Sequence, residues 1–119
     1  MENNFFTQRI FSFKFALNGI RHLLNNETNF RIHLLASFIV LALAWITDIS
    51  QTEWLLIIVC IGSVFGAEAF NSAIECICDF VCKEKNKNIK IIKDISAAAV
   101  LIISAMAAII GIIIFCEKS

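Results

Sequence analysis

From Ile95 to Cys116 the chain runs for 22 residues without a charged side chain or a proline. As a helix that run reaches about 33 Å, enough to cross the hydrocarbon core of a bilayer. A water-soluble chain of 119 residues has no interior large enough to hide such a segment. Only 17% of the residues are charged while 59% are apolar, so polar groups are also too few to cover an aqueous surface. The length fits one domain, and the run places that domain in a membrane.

Two further segments fit the same reading. Ile32 to Ile46 carries no charge, and with its flanks it is just long enough to span. Trp54 to Ala67 is uncharged until Glu68 interrupts it, after which apolar residues resume through Ile74, Ile77, Phe80 and Val81. We therefore expect an all-α integral membrane fold with spans over about 31–48, 53–82 and 94–116. Residues 5–25 differ: Phe6, Ile10, Phe13, Leu17, Ile20 and Leu24 recur at helical steps among Gln8, Arg9, Lys14, Asn18 and Arg21. This spacing predicts an amphipathic surface helix. A polar break, Asn25 to Asn29, follows it, with Thr28 or Asn29 as the expected N-cap of the first span. No secretory signal peptide is expected, because the first apolar run begins near residue 32 and no small-residue cleavage site follows it.

Five cysteines, Cys60, Cys76, Cys78, Cys82 and Cys116, lie mostly in apolar helical pattern. Cys78 and Cys82 share a helix face, but no histidine is near in sequence, and small apolar filler is the reading adopted. Zero formal net charge removes the usual ground for nucleic-acid binding. No P-loop is present, since Gly19, Gly62, Gly66 and Gly111 fit no such pattern.

Within the second span, Glu68, Asn71, Ser72, Glu75 and Asp79 follow steps that keep all five on one face about 100° wide. An ionised carboxylate facing hydrocarbon costs at least about 2.5 kcal/mol, so the stripe must face protein or water. Glu68 is expected deepest, on the order of 10 Å in, and Asp79 at the surface. Glu27, Lys93 and Asp94 fall at the same side. Convergent carboxylates suit Mg²⁺, which keeps few protein ligands and completes its shell with phosphate and water. Lysines beside them suit phosphate. A carboxylate deep in apolar surroundings and taken as isolated is a stronger base than one in water, which suits proton abstraction from a lipid acceptor. The blander readings are that Glu75 and Asp79 snorkel or pair with lysines, and that lysines 83–93 form a solvated loop.

The segment Glu68 to Asp79 (EAFNSAIECICD) resembles the signature of the prokaryotic diacylglycerol kinase family, E-x-x-N-[ST]-A-[IL]-E-x-x-x-D. Asn26-Glu27-Thr-Asn-Phe-Arg31 resembles the family's NExxFR stretch, and Lys93 to Leu101 its KDxxxAAVL stretch. The resemblance implies a homotrimeric membrane kinase of the bacterial inner membrane that uses Mg²⁺ and ATP. It further implies that Glu27 and Glu75 hold the metal, and that Asn71 and Lys93 contact the ATP phosphates. Arg9, Glu84 and Asp94 would complete the nucleotide site, Glu68 would be the catalytic base, and Ser72 and Asp79 would support the site. The lipid is expected to be diacylglycerol, giving phosphatidic acid; the alternative is undecaprenol, to whose kinases the run Asn29 to Leu34 looks closer. Lys85 and Asn86 depart from the family's usual aromatic or histidine after Glu84, and a surface-helix tryptophan is replaced near Leu17 or Asn18. Lower-ranked readings are a small transporter or proton relay, and a non-catalytic subunit whose small-residue face (Ala97, Ala98, Ser104, Ala105, Ala108) serves packing.

Orientation follows from the bases. Arg9, Lys14, Arg21 and Arg31 precede the first span, and Lys83, Lys85, Lys87, Lys90 and Lys93 lie between the second and third, leaving only Lys118 beyond. The positive-inside rule then puts the N-terminus in the cytoplasm and the C-terminus outside. Alkaline phosphatase, active only outside the cytoplasm, is expected to work when fused after Lys118 and to fail when fused at Asn86. The reverse pattern would overturn this orientation.

Overall fold

The computed structural model describes residues 4–118. Four helices follow in order: α1 (Phe5–Asn26), α2 (Thr28–Ile46), α3 (Gln51–Val81) and α4 (Lys87–Lys118), with no strand among the described residues. The last three are each long and apolar enough to cross a membrane. They run alternately up and down, so one end of the bundle collects Glu27, Asp79 and lysines 83–93, and the other collects the α2–α3 turn and the end of α4.

The expected helices are all present, with shifted boundaries. The break before α2 is one residue wide, at Glu27 (φ −113°, ψ 108°), and not the five-residue stretch that the polar run suggests. Thr28 and Asn29 are already helical, and Glu27, not either of them, occupies the N-cap position, without a side-chain cap bond. The hydrogen-bond ladder almost bridges the kink: Glu27 N–H donates to Leu23 O at 2.9 Å and Arg31 N–H to Glu27 O at 3.3 Å. Arg31 adds a strap, donating from Nη1 to Leu24 O at 2.7 Å and from Nη2 to Thr28 Oγ1 at 3.3 Å.

Helix α4 begins at Lys87, seven residues before the expected start of the span. Asn86 explains the early start, because its Oδ1 accepts from the backbone N–H groups of Asn88 (2.8 Å) and Ile89 (3.2 Å). That is side-chain capping of the first turn. Only residues 82–86 separate α3 from α4, and Lys87, Lys90 and Lys93 lie on helix instead of loop.

At the opposite end the α2–α3 turn is fixed by Asp48, whose φ of 54° is the only positive value among the described non-glycine residues. Asp48 N–H donates to Trp45 O at 3.4 Å and Ile49 N–H to Ala44 O at 3.5 Å, the bonding of a Schellman motif. Its apolar contact is present too, since Ala44 and Ile49 are buried in one cluster with Ile57 and Ile114. Ser50 and Glu53 then form a capping box that starts α3. Lys118 Nζ closes this end by reaching Glu53 Oε1 at 3.2 Å.

Little of the apolar surface is hidden within one chain. Eight hydrophobic residues are buried among those described, against 32 large ones that are exposed. The radius of gyration is 17.8 Å, where a compact globule of this length would show about 13.5 Å. A surface of this kind is at home in lipid or against other helices, where exposed Leu, Ile and Phe carry no hydration penalty.

The left-handed residue gives a test. Asp tolerates this conformation and a β-branched residue does not. Asp48→Val is expected to lower stability by about 1–2 kcal/mol in thermal unfolding in detergent, whereas Asp48→Gly is expected to leave it unchanged or raise it.

Candidate functional site

Four of the five polar side chains on this face of α3, Glu68, Asn71, Ser72 and Asp79, are met by side chains of neighbouring elements. Deepest is Glu68, 6% exposed and the only charged residue buried among those described. Its Oε1 is contacted by His33 Nδ1 of α2. Its other oxygen, Oε2, is buried and has no hydrogen-bond partner among the described residues. Glu68 is therefore not the isolated carboxylate that the sequence suggests. The signal for this contact is an ionisable side chain in the otherwise apolar run of α2, a placement that calls for a partner within the bundle.

One turn on, Ser96 Oγ of α4 donates to Asn71 Oδ1 at 2.6 Å. Ser72 Oγ donates to Glu27 Oε1, also at 2.6 Å. This second bond anchors the α1–α2 kink to α3 and turns the Glu27 carboxylate toward the stripe. Glu75, three residues further, is half-buried and has no hydrogen-bond or ion-pair partner among the described residues. Asp79 lies exposed at the helix end, as expected, and accepts from Lys93 Nζ at 2.6 Å. The pairing reading of Asp79 therefore holds, while Glu75 forms no hydrogen bond or ion pair among those residues and acts on Lys93 through its charge. Asp94 pairs with Lys90, Nζ to Oδ2 at 2.6 Å, along α4.

The more distant candidates separate. Glu84 is exposed in the α3–α4 loop, its carbonyl accepting from Cys82 Sγ at 3.4 Å. With lysines 83, 85, 87, 90 and 93 it lines a cleft of about 640 Å³ that opens beside Asp79. A cleft edged by five ammonium groups suits a polyphosphate. Arg9 is not brought to this cluster within one chain. It lies 18 residues before Glu27 on α1, about 27 Å along the helix, and its guanidinium stacks 4.6 Å from the Phe5 ring centroid.

Two carboxylates, Glu27 and Glu75, flank Ser72 on the stripe, and no cluster of three or more potential metal-binding side chains occurs among the described residues. Two carboxylate donors are the kind of set that fits Mg²⁺, whose remaining ligands are waters and substrate phosphates. On the far side of Glu68 the surroundings change. An apolar groove of about 610 Å³ runs between α2, α3 and α4, lined among others by His33, Ser37, Val40, Ile57, Ile110 and Phe115. The stripe thus reaches the basic cleft at Asp79 and, through the His33 contact of Glu68, adjoins an apolar groove.

The family model for Prokaryotic diacylglycerol kinase matches residues 14–115. The chain belongs to this family. The match takes in every site residue discussed above except Arg9. Among relatives, the undecaprenol kinase of Bacillus subtilis (strain 168) is 35% identical over 107 residues, covering 90% of this chain and 87% of its own length. The diacylglycerol kinase of Haemophilus influenzae (strain ATCC 51907 / DSM 11121 / KW20 / Rd) is 30% identical over 111 residues, covering 92% and 94%. The family to which the site belongs is thus one of prokaryotic lipid kinases.

Ser96 offers a stability test of the cluster. Its side chain is buried, and removing the hydroxyl leaves Asn71 Oδ1 without its donor. Ser96→Ala is expected to cost about 1–2 kcal/mol in thermal unfolding. Lys90→Ala, at an exposed pair, is expected to cost less than about 0.5 kcal/mol.

Proposed function

We propose that this chain transfers the γ-phosphoryl group of ATP, with Mg²⁺, to the hydroxyl of a membrane lipid at the cytoplasmic face of a bacterial inner membrane. The observation that carries the reading is the course of the α3 stripe, from buried Glu68, joined through His33 to an apolar groove, to exposed Asp79 beside a basic cleft. A lipid reaches the first from within the leaflet, and a nucleotide reaches the second from water.

Each residue then has a task its chemistry suits. The lysines of the cleft, Lys93 among them, and Asn71 hold phosphate oxygens, with Glu84 and Asp94 at the nucleotide's edge. Glu27 and Glu75 hold the metal, which when bound neutralises charge on the phosphates. Glu68 takes the proton of the lipid hydroxyl, and Ser72 and Asp79 keep Glu27 and Lys93 in place. Phosphoryl transfer asks for positioning, charge neutralisation and a base, and little else. Arg9 joins such a site only from another copy, given its distance along α1. A homotrimer with sites composed between chains accounts for that and for the exposed apolar surface.

Of the two acceptors, undecaprenol is the better supported. The relative named for it is 35% identical, against 30% for the one named for diacylglycerol. The run Asn29 to Leu34, which contributes His33, leans the same way. Diacylglycerol, the first expectation from the family resemblance, is the second reading.

Purified protein given labelled ATP and both lipids in parallel is expected to phosphorylate undecaprenol faster. Label in neither lipid would overturn the kinase reading. Glu68→Gln is expected to abolish transfer to either lipid while leaving assembly and ATP affinity intact. Glu75→Gln is expected to raise the Mg²⁺ concentration needed for half-maximal rate, and an unchanged titration would remove Glu75 from the metal site.

A further inference from the structure

A buried carboxylate that acts as a base must keep one oxygen free and aimed at its target. Glu68 has one oxygen engaged and one without a partner among the described residues: Oε1 is engaged by His33 Nδ1, whereas Oε2 is buried and unpartnered. A carboxylate offers only acceptors, so a hydrogen bond between these atoms requires the proton to sit on Nδ1. His33 is itself set at a boundary. Its side chain remains 35% exposed, and its ring lines the inner end of the apolar groove. His33 is also tied at its backbone, because its carbonyl accepts from Ser37 Oγ at 2.8 Å within regular helix.

We propose that His33 is the positioning residue of the reaction, donating from Nδ1 to Glu68 Oε1 so that Oε2 alone faces the lipid hydroxyl. The inference rests on the reading of Glu68 as the base and adds to it the group that orients that base. In the step itself the hydroxyl proton moves to Glu68 Oε2 while the hydroxyl oxygen bonds to the γ-phosphorus. The bond from that phosphorus to the β-phosphate oxygen breaks, and its electron pair leaves with ADP. His33 keeps its Nδ1 proton throughout, and the proton on Glu68 passes to water before the next turnover.

The strength of such a bond follows from its type, since a hydrogen bond to an ionised acceptor is stronger than one between neutral groups. A glutamate side chain has three rotatable bonds, and without an anchor its two oxygens exchange places and its reach varies. At metal sites, loss of the partner that orients a ligand typically costs about 10- to 100-fold in affinity or activity, and a loss of that order is expected here. The loss should appear in kcat, because His33 touches the base and not the nucleotide.

The test uses full-length protein in lipid vesicles with ATP and the acceptor lipid, comparing His33→Leu, His33→Asn, His33→Gln, Glu68→Gln and the double variant His33→Leu/Glu68→Gln. His33→Leu is expected to lower kcat about 10- to 100-fold with KM for ATP within about twofold. His33→Asn, whose amide nitrogen sits near the Nδ1 position, is expected to recover most of the rate, and His33→Gln, whose nitrogen reaches further, much less. The double variant should be no slower than Glu68→Gln, since a positioning residue has nothing left to position. Should His33→Leu fail to fold, the contrast between Asn and Gln decides the matter, and equal rates for those two overturn the inference. A His33→Leu enzyme with native kcat beside an inactive Glu68→Gln overturns the positioning role and leaves the base intact. An active Glu68→Gln overturns the base reading, and the positioning role falls with it.

Discussion

The arrangement depends on one constraint: a polar side chain placed in an apolar helix must find its partner on another helix of the bundle. Helix α3 carries a row of such groups, and each neighbouring element supplies answers. His33 of α2 meets Glu68, Ser96 of α4 meets Asn71, Glu27 at the α1–α2 kink meets Ser72, and Lys93 of α4 meets Asp79. Water cannot satisfy these groups at depth, and an unmet donor or acceptor costs several kcal/mol in hydrocarbon. The row therefore fixes the rotation of α3 about its axis and the heights of α2 and α4 beside it.

Apolar packing alone could not specify this. Lipid tails are as apolar as Leu and Ile, so helices in a membrane gain little from hiding such residues from lipid. The buried apolar cluster of Ala44, Ile49, Ile57 and Ile114 sits at the far end of the bundle, where the α2–α3 turn and the Glu53–Lys118 pair hold the helix ends together. The chain is thus fastened at one end by a turn, a capping box and close packing, and at the other by the polar row. Between the two fastenings lies the apolar groove, whose lining comes from all three long helices.

Much of this organisation is legible in the amino-acid sequence. Uncharged runs give the three long helices, and the steps between Glu68 and Asp79 give the common face. The features that sequence hides share one physical cause: it displays the period of a helix but not the partners of its side chains. Asn86 reads as one more polar residue in a lysine-rich stretch, yet its side chain caps α4. Asp48 reads as a generic turn residue, yet its backbone is left-handed. His33 carries the larger lesson. Counted along the chain it is 35 residues from Glu68, yet the two helices place them in contact.

The length of the polar row also bears on the chemistry proposed for it. From Glu68 to Asp79 the helix rises about 16 Å, half the hydrocarbon thickness. A lipid hydroxyl cannot leave the leaflet without exposing its tail, and a polyphosphate cannot enter hydrocarbon without losing its hydration. A reaction between the two needs a ramp of protein polarity that neither a soluble domain nor a wholly apolar span provides. Most rungs of this ramp are short side chains held by one hydrogen bond from a neighbouring helix, with the carboxylate at its inner end kept buried. That economy is how 119 residues can bring together two reactants that belong to different solvents.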